Sequence, residues 1–232
     1  MEVTPEAKTA IQKLIDNGWL ITNQLVFTTA ASRRGHTVKL RKVLNDIGVL
    51  SYYTFSVKGY MENNHNFAVN ARSLQEQIEE KVFGRIPEKL LETIRDFPLN
   101  TPSITKKINE IRENENIPFL ATDRNVLNLP GAGKSMTFRV VGITRYGRRI
   151  LEFDHDGTRS HSPIINKMKK VVIIESKSVS EYLEQLENMG EEINDYDGLY
   201  GYSIGETENR LSIYEYPEYK YDVTNEITNL CV

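Results

Sequence analysis

The alternation of helix and strand signals over residues 1–85 constrains this chain more than any other feature. Thr4 is suited to cap a helix and Pro5 to occupy its first turn. Ala7, Ala10, Ile11, Leu14 and Ile15 follow at helical spacing, and Gly18 closes the segment. WLITNQLVF then reads as a strand. TVKLRKVLNDIG reads as a helix with Leu40, Val43, Leu44 and Ile47 inward, and VLSYYTFSV as a second strand. NARSLQEQIEEKVFG adds a further helix, capped by Asn70 and striped by Ala71, Leu74, Ile78 and Val82. Helix–strand–helix–strand–helix is the rhythm of a parallel sheet with crossover helices. Two strands cannot cover the apolar faces of those helices, so residues 1–85 are expected to be the end of a longer α/β domain.

The rhythm then changes. Residues 86–116 read as helical connecting structure (PEKLLETIRDF, then SITKKINEIREN), and IPFLAT as a short strand. MTFRVVGI, RRILEF and KVVIIES are β-rich runs separated by turn-like pieces, RYG among them. SVSEYLEQLENMG is a helix with a capping box, Ser178 and Glu181, a stripe of Val179, Tyr182, Leu183 and Leu186, and Gly190 at its end. YEYPEYKY alternates like a strand, which Pro217 restricts to a sheet edge. Three parts are therefore expected: 1–85, 86–145 as helical connection and glycine loop, and 146–232 as a smaller α+β segment.

Bulk properties narrow the function classes. The net charge of −3 over 232 residues leaves no basic stripe for nucleic acid, and the short clusters Arg33-Arg34 and Lys167-Lys169-Lys170 are expected on the solvated surface. No apolar run approaches the ~18 residues of a membrane span, and no signal-peptide pattern opens the chain, so cytoplasm is the expected compartment. The single cysteine, Cys231, can form neither an internal disulfide nor a cysteine-ligated metal or iron–sulfur site by itself. FDHDGTRSHSP gathers Asp154, His155, Asp156 and His161, yet its spacing matches no defined metal motif and DGT is a turn signal. No metal site is expected there, and His36 and His65 read as incidental.

The most chemical stretch is NLPGAGKS, residues 128–135. It meets the nucleotide-binding pattern G-x-x-x-x-G-K-[ST] at Gly133, Lys134 and Ser135 and fails at its first glycine, where Asn128 stands. Such a loop needs a helix starting at Lys-Ser to aim amides and a dipole at phosphate. MTFRVVGI reads instead as strand, and the only acidic partner in view is Glu175, at the end of VVIIE, where an aspartate is usual. A second reading makes Lys134 a carbonyl-reactive amine, with Gly131 and Gly133 permitting close backbone approach to a cofactor. A third is an ordinary glycine turn.

Several motifs in order carry a resemblance that separates these readings. TPEA opening a helix, then NQLVF, AASRRGH, SYYTFSVKGY and PGAGK resemble the second half of a lysine 2,3-aminomutase family enzyme, a radical S-adenosylmethionine enzyme that also uses pyridoxal phosphate. VVGITRYGRRILEFDHD through YGYSIGETE and YEYPEY resembles the tail of a less characterised branch. The resemblance implies the C-terminal part of a partial (β/α) TIM-like barrel followed by a smaller α+β segment. It implies a 4Fe–4S cluster and S-adenosylmethionine in the intact enzyme, and migration of an amino group from C2 to C3 of an amino acid.

Residue by residue, the resemblance implies that Lys134 holds pyridoxal phosphate, in a loop one residue shorter than the family's P-G-G-G-G-K. It implies that Gly131, Gly133, Gln24 and Phe55 line the cofactor pocket. Lysine-acting members carry aspartates where this chain has Lys58 and Asn128, and glutamate-acting members are similar to this chain at both. A cationic Lys58 attracts a distal carboxylate, and Asn128 donates where an aspartate cannot, so the expected substrate is a small amino acid with an acidic side chain. The family's C-x-x-x-C-x-x-C is absent. The expectation is therefore a truncation, a split subunit or a fragment, inactive alone as a radical enzyme, whose partner is a further copy or a missing N-terminal half. A non-catalytic half-barrel docking a cluster-bearing chain and a P-loop nucleotide binder remain the alternatives.

Overall fold

The computed structural model describes residues 3–58, 66–73, 75–76, 84, 88–90, 101–117, 125–128, 136–155, 171–196 and 198–199. Helix α1 (Pro5–Asp16) starts as its sequence dictates: Thr4 Oγ1 accepts the Ala7 N–H at 3.2 Å, and Pro5 occupies the first turn. Ile15 is buried, but Leu14 is 46% exposed, so the apolar stripe is only partly covered. The first strand is shorter than WLITNQLVF suggests. β1 spans Thr22–Val26, and Trp19 and Leu20 lie exposed ahead of it.

α2 (His36–Asp46) buries Val38, Leu40, Val43 and Leu44, and Gly48 turns the chain into β2 (Leu50–Lys58) with φ +85°. β1 and β2 pair in parallel with α2 as the crossover. A strand not anticipated from the sequence, β3 (Asn125–Asn128), adds in parallel to the far side of β2, giving the order β1-β2-β3. Within IPFLAT only Ile117 is described, and it is not in a strand. Residues 70–73 and 75–76 are helical, and Leu74, Ile78 and Val82 of the expected stripe lie outside the described residues. α3 spans Thr101–Asn114.

β1 alternates exposed and buried along its length. Asn23 and Leu25 face α2 together with Thr54 of β2, and Arg41 of α2 fixes that face by donating to Asn23 Oδ1 at 2.8 Å and Thr54 Oγ1 at 2.7 Å. Gln24 and Val26 lie on the opposite face, which α2 leaves uncovered. A central parallel strand is ordinarily buried on both faces, so this alternation marks β1 as a strand with one side open among the described residues.

The second sheet is antiparallel: β4 (Met136–Ile143), β5 (Arg149–His155) and β6 (Val171–Ile174), in that order. The RYG turn joins the first two, with Gly147 at φ +74° and Thr144 N–H donating to Arg148 O. This hairpin spans residue 145, where the helical connection was expected to give way to the β-rich segment. Phe138 and Phe153 meet across it at 5.8 Å between ring centroids. α4 (Val179–Glu187) begins on the complete Ser178/Glu181 capping box and buries Val179, Tyr182, Leu183 and Leu186. Each buried side chain contributes about 2 kcal/mol against about 1 for the cap, so the stripe places this helix and the cap only starts it. The core is continuous, running from Leu25, Phe27 and Leu44 to Val140, Leu151, Phe153 and Leu186. Among the described residues no helix is long and apolar enough to cross a membrane.

Candidate functional site

Three parallel strands define two edges, and the carboxyl edge is where α/β sheets bind ligands. β2 ends at Lys58 and β3 ends at Asn128, and these two residues are Cα partners in the ladder. Phe55 is paired on one side with Val26 and on the other with Val126. Its pairing with Val26 sets it on the same face as Gln24, opposite α2. Gln24 is exposed there and Phe55 half-buried. Four expected site residues thus belong to one small sheet: Lys58 and Asn128 at its carboxyl edge, Gln24 and Phe55 along its uncovered face. Gly131, Gly133 and Lys134 lie outside the described residues. Asn128 leads directly into their loop, and β4 receives the chain at Met136.

That placement bears on nucleotide binding. Ser135 is followed at once by a strand, where a phosphate-binding loop would open a helix. Glu175, the acidic partner considered for such a loop, is instead buried and accepts the Asn70 N–H on Oε1 at 2.7 Å. Asp154 lies at the exposed end of β5 and His155 beside it, while Asp156 and His161 lie outside the described residues. Among the described residues no group of three His, Cys, Asp or Glu side chains could hold a metal ion.

The sequence missed a buried polar seam at the same edge. The loop after β1, AASRRGH, is gripped by the segment that follows β6. Lys177 Nζ donates to Thr29 Oγ1 at 2.9 Å and to Gln185 Oε1 at 2.5 Å. Ser32 Oγ and Tyr182 Oη are 2.7 Å apart. Arg34 N–H donates to Tyr196 Oη at 3.0 Å, and Tyr196 Oη donates to Glu191 Oε2 at 2.5 Å. Arg72 Nε donates to Ser32 O at 3.0 Å, and its Nη2 pairs with Glu76 at 2.9 Å. Arg34 is thus not the solvated residue expected of an Arg-Arg pair. It is 5% exposed, and both it and Arg72 lie 5.6 Å over the Tyr196 ring. Tyr182 was legible as an apolar stripe position, but nothing in its spacing revealed that its hydroxyl would be used.

Burial tunes the titrating groups of this region. It pushes Tyr182 up to about 12, against the pull of Arg72, and raises Tyr196 further. Burial lowers Lys177 to about 8, opposed by Glu181. Burial would lower Arg72, but Glu76 and the two tyrosines reverse this to a net rise. His36, at the start of α2, is held neutral to about pH 4 by burial and by Arg33.

Over 206 residues the chain is 29% identical to an uncharacterized KamA family protein of Methanocaldococcus jannaschii, a match covering 87% of this chain and 27% of that protein. The chain spans about a quarter of the relative's length. No protein-family profile matches the chain, and no solved structure does.

Proposed function

We propose that this chain is the C-terminal portion of an amino acid 2,3-aminomutase-like enzyme that uses pyridoxal phosphate, with the parallel sheet as the end of a partial (β/α) barrel. The pairing of Lys58 with Asn128 at the carboxyl edge, directly ahead of the glycine loop, carries this reading. The printed name of the relative, KamA family, points the same way.

Pyridoxal phosphate supplies the conjugated carbonyl on which an amino group can migrate. Lys134 would hold that carbonyl, with Gly131 and Gly133 letting the backbone approach. Lys58 would draw a distal carboxylate to the end of β2, and Asn128 would donate a hydrogen bond to it. Gln24 and Phe55 would line the uncovered face. The donor set does not fit a 4Fe–4S cluster, because one cysteine cannot supply its thiolates. No radical step is assigned to this chain, and isolated chain is expected not to cleave S-adenosylmethionine reductively.

Borohydride trapping with pyridoxal phosphate, followed by peptide mapping, tests the reading. An adduct confined to Lys134 supports it, and labelling scattered over surface lysines refutes it. The one-sided burial of β1 favours a second reading, a half-barrel that docks another polypeptide along that strand. Co-purification with a protein bearing C-x-x-x-C-x-x-C supports it, and an indifferent monomer counts against it.

A further inference from the structure

Glu175 sits immediately after β6, where its own N–H donates to Arg149 O at 2.9 Å. Its side chain crosses the seam to Asn70, at the start of the helical residues 70–73. It is 6% exposed, and Oε2 has no hydrogen-bond partner among the described residues, nor does Asn70 Nδ2. A buried carboxylate with one oxygen unpaired is costly, and a proton on that oxygen removes the charge. The contact joins two parts of the fold. On one side lie the loops at the carboxyl edge of the parallel sheet, and on the other the segment 175–199, held by Lys177, Tyr182 and Tyr196.

We propose that Glu175 is a proton-operated latch: protonated, it holds segment 175–199 against the carboxyl-edge loops, and loss of its proton to water loosens that seam. The charged neighbours are accounted for on each packed element. Arg149 of β5 draws the carboxyl toward ionisation but donates through Nη2 to Leu199 O at 2.6 Å. On the helical residues, Arg72 and Glu76 pair with one another. Lys177, two residues along, turns to Thr29 and Gln185.

Burial outweighs the Asn70 N–H and Arg149 and lifts the carboxyl from 4.5 to about 7. A carboxyl raised in the closed seam stabilises it fully below the ordinary value. That stability is lost as pH rises through the raised one. The window therefore runs from about 4.5 to about 7. Lys177 acts above it, between about 8 and 10.5, whereas His36, lowered from 6.5 to about 4, acts inside it with the opposite sign and stabilises the closed seam as pH rises.

The test is hydrogen exchange of the full chain at pH 5.5 and 7.5, corrected for intrinsic rates. Between the two pH values, opening of residues 27–37 and 70–76 in the wild type, taken relative to Glu175→Gln so that the opposing His36 cancels, is expected to rise on the order of tenfold. Glu175→Gln, neutral at both pH values, is expected to show no such rise. The same pH dependence of corrected exchange in the wild type and in Glu175→Gln overturns the latch. Should that variant not fold, the wild-type Glu175 carboxyl carbon can be titrated by NMR. A midpoint near neutrality supports the proposal and one in the ordinary carboxylate range overturns it.

Discussion

Lys58 and Asn128, far apart along the chain, are Cα partners where β2 and β3 end. One brings a cation and the other a neutral donor to the same end of the sheet. On the proposed function, replacing both with aspartate should abolish selection of an acidic amino acid. The expected change in the preference for glutamate over lysine is at least tenfold, about 1.4 kcal/mol, with reversal if both carboxylates reach the side chain. Competition binding to the cofactor-loaded protein measures it. An unchanged preference would move the selecting residues elsewhere.

Arg41 is fully buried and ties α2 to both β1 and β2 through Asn23 and Thr54. Arg41→Met keeps the stem and leaves those two acceptors without their donor. Urea denaturation should show a loss of about 2–3 kcal/mol, because stranded buried polar groups cost more than the net worth of their hydrogen bonds.

Gly48 turns the chain from α2 into β2 at φ +85°, and a Cβ there would stand 2.6 Å from Ile15 Cδ1. Gly48→Ala should therefore cost at least about 1 kcal/mol from the left-handed backbone alone, and more from the displaced Ile15. A mutant as stable as the wild type by thermal unfolding would mean that α1 shifts freely at its C-terminal end.

Lys177 has its pKa lowered to about 8 by burial, below its ordinary 10.5. Between those values the unfolded chain holds a proton that the folded chain lacks, so this lysine makes stability rise with pH across that window. Lys177→Met should remove that rise. Parallel stability curves for the two proteins from pH 8 to 10 would show that the ammonium stays hydrated.

Local signals in the sequence were decoded well and long-range ones poorly. Helix α4 was legible from its capping box and stripe, because both are written within one short segment. β3 was not, because four residues carry little pattern and its place depends on β2. Leu14, Trp19 and Leu20 show the other limit: periodicity reveals which face is apolar, not whether anything covers it. Of the candidate site, the motifs pointed to Lys58 and Asn128, and their pairing came only from the sheet. The polar seam was hidden because a buried Arg34 and a surface arginine have the same letters around them.

The unequal connections of the strands set an order of assembly. β4 and β5 close through a tight turn, a local event, whereas β3 must return across a long excursion to find β2. Loop closure of that length makes β3 a late arrival. In sequence the glycine stretch therefore connects a strand that docks late to a hairpin that forms early. Pulse-labelled exchange should show β4 and β5 protected before β3.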